Sequence, residues 1–197
     1  MTGQVRVLLV SGSTRSSSGN TAALATAAAM APSGVRAVRY DGLAGLPAFN
    51  PDHDGDLLPE AAASLRREIA AADAVLFCTP EYAGNLPGSL KNLLDWTVGG
   101  GEFYGKPAAW INVAPHGRGT GAVAALAAVL GYVGAVIVEE ACRHIPVDRA
   151  AIGPDGAVTD RGFAAEAAGI WDALLRHLGQ ATALKRAPRP GSPHVAP

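Results

Sequence analysis

The sequence predicts a doubly wound α/β fold: a five-stranded parallel sheet in the order 2-1-3-4-5, with helices on both faces. Three observations predict it. Short, nearly unbroken apolar runs end at turns rich in Gly, Pro and Ser, the pattern of strands buried on both faces. Stretches with helical spacing lie between those runs, and the alternation holds from the first run to the last. Crossovers of this kind are right-handed, so the strands run in one direction and their carboxyl ends share one edge of the sheet.

Residues 5–10 (VRVLLV) are the first run, stopped at Ser11-Gly12, and read as the central strand. A polar segment, residues 11–20, leads into an alanine-rich helix over residues 21–30, ended by Pro32 and Gly34. Residues 35–40 alternate as a second strand, and residues 43–59, rich in Pro, Gly and Asp, read as a loop. Over residues 58–71 apolar side chains recur at helical spacing, with Arg66, Arg67 and Glu68 on the opposite face. Residues 74–79 (AVLFCT) are the third strand. A helix over 87–98, a strand over 107–114, an alanine-rich helix over 120–133 and a strand over 135–138 continue the alternation. The last helix, residues 161–184, offers Phe163, Ile170, Trp171, Leu174, Leu175 and Leu178 to one buried face.

With 197 residues, 49% of them hydrophobic, the chain can bury one full core, so a single domain is expected over residues 1–185. Residues 186–197 carry four prolines and little to bury, and are expected to be a disordered tail. Sixteen basic and seventeen acidic residues leave a net charge of −1, which gives no broad field for nucleic acid or an anionic membrane. Small molecules or other protein subunits are the expected partners. Cys78 and Cys142 lie far apart in apolar stretches, where reduced cysteine acts as a small hydrophobe. The first residues lack the charged region and cleavage site of a signal peptide, and no apolar run approaches the roughly 20 residues of a membrane span. A cytoplasmic protein is expected.

In doubly wound sheets, ligands bind beyond the carboxyl ends of the strands where the winding reverses, here between strands one and three. The loop after strand one, residues 12–21 (GSTRSSSGNT), opens directly into a helix. Its hydroxyls, its guanidinium, its run of backbone N–H groups and the helix dipole suit a phosphate dianion. The competing reading is a serine-rich turn that only caps the helix. No lysine follows its glycines as in GxxxxGK[ST], and GxGxxG does not fit, which disfavours a nucleoside triphosphate or a Rossmann-bound dinucleotide.

The loop after strand three adds PEYAGNLPGSLKNLLDW, residues 80–96. Taken with GSTRSSSGNT one strand-helix unit earlier, it resembles the signature of the NADPH-dependent FMN reductase family, which includes quinone, azo-dye and chromate reductases. The resemblance covers about residues 5–180. It implies a flavodoxin-like fold that binds FMN, with NADPH or NADH as reductant. It assigns the FMN phosphate to Ser13, Arg15, Ser18, Asn20 and Thr21, with Arg15 also able to reach the ring. Pro80, Glu81, Tyr82, Ala83 and Gly84 correspond to the flavin-ring loop. Position 83 departs from the pattern: family members commonly carry Asn there, and Ala83 leaves only backbone to meet the ring's pyrimidine edge. The segment after strand four supplies a third flavin loop through Ala114, His116, Gly117 and Gly119, whose glycines let backbone approach a planar ligand.

The implied reaction is carried by the flavin N5, so no catalytic side chain is nominated. A hydride passes from nicotinamide to flavin and then, in a ping-pong cycle, to a quinone, an azo compound, free flavin or a metal oxyanion. His116 reads either as a proton donor near the ring or as a loop histidine facing solvent. Arg118 reads as a contact to the NADPH phosphate or to a neighbouring subunit. A homodimer or homotetramer is implied, with Trp96 at a subunit interface. Lys91 and Asp95, four apart on a helix, read as an exposed ion pair. No metal site is expected, since Asp52-His53-Asp54 lies in a Pro-rich loop whose adjacent side chains do not converge. A flavodoxin-type electron carrier, or a non-catalytic flavin- or phosphate-binding protein on the same fold, is the alternative. The carrier goes with a strongly acidic surface and many aromatics, whereas this chain is nearly neutral with 6% aromatic residues.

Overall fold

The computed structural model describes residues 4–186. Strands β1 (Val5–Ser11), β2 (Val35–Tyr40), β3 (Ala74–Cys78), β4 (Pro107–Asn112), β5 (Val136–Ile137) and β6 (Arg143–His144) form one parallel sheet. Helices α1 (Gly19–Ala29), α2 (Glu60–Ala70), α3 (Gly88–Asp95), α4 (Thr120–Tyr132) and α5 (Arg161–Arg186) cover it. The sheet path is β2-β1-β3-β4-β5, the expected order, with β6 also paired to β4. The expected tail, residues 186–197, lies outside the described residues except for Arg186, which closes α5.

Successive strand side chains point to opposite faces, and both faces of this sheet are dry. Val7, Leu9, Leu76 and Cys78 pack under α1 and α5. Leu8, Val10, Val75 and Phe77 pack under α2, α3 and α4. Small Ala23 and Ala27, both buried, let α1 lie close to the strands. Trp171 on α5 is buried, and its indole N–H donates to the Ala27 carbonyl at 2.9 Å, tying the two helices.

The far edge differs from the expectation of one strand over residues 135–138. β5 pairs only with Pro107 and Ala108, a 3₁₀ turn at Glu139–Ala141 follows, and β6 resumes the pairing at Ile111 and Asn112. A regular strand would turn one of the adjacent Glu139 and Glu140 toward a helix-covered face. The turn exposes both carboxylates and buries Ala141 instead.

Two further readings are corrected around the 43–59 connection, which carries 3₁₀ turns at Leu43–Gly45 and Pro51–His53. Trp96 is fully buried within the chain rather than set at a subunit interface. Its indole N–H donates to the Pro47 carbonyl at 2.8 Å, and its ring meets Phe49 edge-on with centroids 5.0 Å apart. Arg66, expected on the solvent face of α2, turns inward and pairs with Asp54 at 2.5 Å.

Candidate functional site

β1 and β3 end level with one another, with Ser11 opposite Cys78, and Cys78 in turn opposite Ile111 of β4. The loops that leave these strands therefore start side by side. The Gly12 N–H donates to the Cys78 carbonyl at 2.8 Å, and a Cβ on Gly12 would fall 2.2 Å from the Thr79 hydroxyl, so only glycine fits this crossing.

In the first loop, the Ser11 and Thr21 hydroxyls are hydrogen bonded at 2.9 Å, which ties the end of β1 to the first turn of α1. The Arg15 N–H donates to the Ser13 hydroxyl at 3.3 Å, curling the loop over that turn. Ser18 is the N-cap residue in extended conformation, yet its side chain makes no capping bond. The N–H groups of Gly19, Asn20 and Thr21 have no partner among the described residues, and neither does the exposed Arg15 guanidinium. Asn20 is buried and accepts a hydrogen bond from the Cys78 thiol at 3.3 Å. Burial pushes that thiol's pKa far up, so Cys78 is a neutral donor, in keeping with a structural role.

The second loop turns back on itself. Tyr82 and Asn85 exchange both backbone hydrogen bonds at 3.0 Å, and Ala83 (φ 51°) and Gly84 (φ 73°) occupy the left-handed positions of the turn between them. Such a two-residue turn favours Asn-Gly, so Ala83 holds the conformation at a steric cost. Ala83→Gly and Ala83→Asn are both expected to raise stability by about 0.5–1 kcal/mol. Thermal unfolding checks this, and an unchanged or lowered midpoint in both variants would count against a strained turn.

Glu81 acts within the fold. Its Oε2 accepts the Ala122 N–H at 3.0 Å, capping the first turn of α4 from the neighbouring loop. The third loop reaches that helix through Gly119, whose φ of 79° places it in the left-handed region. Asn112 Oδ1 accepts the Ala114 N–H at 3.0 Å, and its amide donates to the Arg118 carbonyl at 3.3 Å, so one buried side chain shapes the loop.

The three loops enclose a pocket of about 270 Å³ lined by Asn20, Pro80, Glu81, Ala114 and Gly119, with Thr79, Val113 and Arg118 completing it. Ser18 and Thr21 face an adjoining cleft on the other side of α1's first turn. Tyr82, Ala83 and Gly84 form an exposed rim. His116 and Gly117 stand out in solvent and do not line the pocket. The His116 ring lies edge-on to His144 of β6, with centroids 5.2 Å apart, while His144 Nε2 bonds the Ala114 carbonyl at 2.8 Å. Sequence reasoning misses Thr79 and Val113 as lining residues; the signal that could find them is their place directly after strands that end at the site. Lys91 and Asp95 form the expected exposed pair at 2.6 Å.

A doubly wound sheet with these three loops at its carboxyl edge belongs to the flavodoxin-like class. A profile of the NADPH-dependent FMN reductase family matches residues 5–148. A 2-hydroxy-1,4-benzoquinone reductase of Burkholderia sp. is 35% identical over 156 residues, which cover 77% of this chain and 84% of that protein. An NAD(P)H-dependent FMN reductase of Pseudomonas aeruginosa is 40% identical over 122 residues, 61% of this chain and 65% of that one, so the match spans just under two thirds of that relative's length. Among solved structures, FerB, a flavoenzyme NAD(P)H:(acceptor) oxidoreductase from Paracoccus denitrificans, superposes with a TM-score of 0.79 at 32% identity, covering 89% of this chain and 98% of that one. The chain belongs to the NADPH-dependent FMN reductase family. No helix among the described residues is long and apolar enough to cross a membrane.

Proposed function

We propose that this protein is an FMN-containing oxidoreductase that takes hydride from NADPH or NADH and delivers it to a small acceptor in a ping-pong cycle. The observation that carries the reading is the first turn of α1. The N–H groups of Gly19, Asn20 and Thr21, the Ser18 hydroxyl and the Arg15 guanidinium lack partners among the described residues, and Asn20 of that turn lines the pocket walled by three loops. That donor set fits a phosphate dianion, and the glycine-bearing loops beyond it fit a planar ring. Ser13, Arg15, Ser18, Asn20 and Thr21 would hold the FMN phosphate, with Pro80 to Gly84, Ala114 and Gly119 bordering the ring. When bound, FMN supplies hydride transfer at N5, toward a quinone, an azo compound, free flavin or a metal oxyanion as acceptor.

The protein's own contribution is orientation. Glu81 is committed to α4's N-terminus, and the solvent-facing His116 lies outside the pocket, so neither is assigned a proton transfer. Ala83 offers backbone alone at the rim. A cytoplasmic homo-oligomer, dimer or tetramer, is part of the same reading, on the strength of the family resemblance.

The test is the absorption spectrum of the purified protein titrated with FMN, followed by anaerobic NADPH and then a quinone. Bound flavin that bleaches and regains its colour supports the proposal; failure of FMN to bind overturns it. Ser18→Asp would set a carboxylate against the phosphate and is expected to weaken FMN by about tenfold or more while leaving the fold intact.

A further inference from the structure

On the β2 side of α1 lies a second cleft, of about 540 Å³. Its walls come from the serine loop, the outer face of α1, Arg39 at the end of β2, and the segment 149–156 that precedes α5. We propose that this cleft receives the phosphorylated adenosine end of the nicotinamide cofactor, and that Arg39 and Arg149 select NADPH over NADH. This rests on the reductase reading above and extends it to a residue-level preference.

The cleft lies within reach of a ligand seated at the flavin loops. Asn20 lines the pocket under the β3 and β4 loops, while Ser18 and Thr21 line the cleft, so a single helical turn is the wall between the two. A dinucleotide whose nicotinamide stands over a flavin in the pocket can cross that turn and set its far end in the cleft. The volume lies within the range of nucleotide-sized pockets, and Ala22, Ala25 and Ile152 give one side an apolar surface on which a base can lie.

The charges in the cleft suit a phosphate. Arg149 has no ion-pair partner among the described residues. Arg39 pairs with Asp41 across a well-exposed contact, with side chains 47% and 68% accessible, a pair too weakly held to prevent exchange for a dianion. The carboxylate in the lining, Asp155, accepts the Ala157 N–H at 3.1 Å within its own loop, and so is turned toward backbone. Arg39 stands near the end of β2 in the wall of the cleft, and a guanidinium grips a phosphate with two parallel hydrogen bonds.

Two measurements test the proposal. Calorimetry on the protein, with and without FMN, compares adenosine 2′,5′-bisphosphate with adenosine 5′-monophosphate. The bisphosphate is expected to bind about tenfold or more tightly, and an Arg39→Ala, Arg149→Ala double variant to abolish the difference. In steady-state assays the same variant is expected to lower the ratio of kcat/KM for NADPH over NADH by about tenfold or more. Equal binding of the two adenosines by the unaltered protein, or an unchanged NADPH/NADH ratio in the variant, overturns the proposal. Failure of the protein to take up FMN would overturn the reductase reading instead, and the calorimetric comparison would still decide the cleft.

Discussion

Replacing Arg66 with alanine is expected to remove about 3–5 kcal/mol of stability, read as a fall in the midpoint of urea or thermal unfolding. Arg66 Nη2 donates to Asp54 Oδ1 at 2.5 Å, Nε donates to the Trp96 carbonyl at 2.7 Å, and Glu102 Oε1 lies 3.8 Å from Nε. Arg66, Asp54 and Glu102 are 14%, 14% and 11% accessible, so water cannot stand in for the missing guanidinium. The alanine variant leaves two poorly solvated carboxylates without the cation they share and a carbonyl without its donor. Asp54→Asn added to Arg66→Ala is expected to recover part of the loss, because the coupling lies in the uncompensated charge. A loss below about 1 kcal/mol, the value of an exposed pair, would show that the network is solvated and contributes little. The same residues join the 43–59 connection to α2 and to the chain after α3, which explains how a long segment without strand or α-helix stays packed.

That network marks where the sequence stops being informative. Strands β1 and β3 are legible because both faces are covered, so almost every position is apolar and the run ends where the chain leaves the sheet. Arg66 defeats the pattern because helical periodicity sorts residues by polarity, and a guanidinium drawn inward by a carboxylate and a carbonyl counts as surface in that sorting. Trp96 defeats it because its partner carbonyl, on Pro47, lies 49 residues away. The interrupted edge strand is invisible because β5 and β6 are two residues each, too short for a period-2 pattern to register. At the site, the three loops are readable as motifs because each begins where an apolar run ends. The capping role of Glu81 is not, since the N–H it caps is 41 residues further on. The second cleft is hidden for the same reason: Arg39, the serine loop and the 149–156 segment meet only in the folded chain.

The coupling between Glu81 and α4 leads to the other large effect. A Cβ on Gly121 would fall 2.1 Å from the Gly84 carbonyl oxygen and 3.0 Å from Glu81 Oε2. The obstacle at Gly84 is backbone, which cannot rotate aside as a side chain tip would. Gly121→Ala must therefore separate α4 from the 81–84 turn, and FMN affinity is expected to fall about tenfold or more as the second and third loops part. Stability is expected to fall by about 1–3 kcal/mol, the range for overpacking a tight contact. Gly131 in the same helix supplies the comparison, because a Cβ there meets nothing within 4 Å. Gly131→Ala gains helix propensity without a clash, so its expected change is a rise of up to about 1 kcal/mol with an unaltered flavin titration. The two substitutions add the same methyl to the same helix and are expected to move stability in opposite directions. If Gly121→Ala instead tracks Gly131→Ala in both stability and FMN affinity, the contact between α4 and the 81–84 turn does not set the shape of the loops proposed to hold FMN.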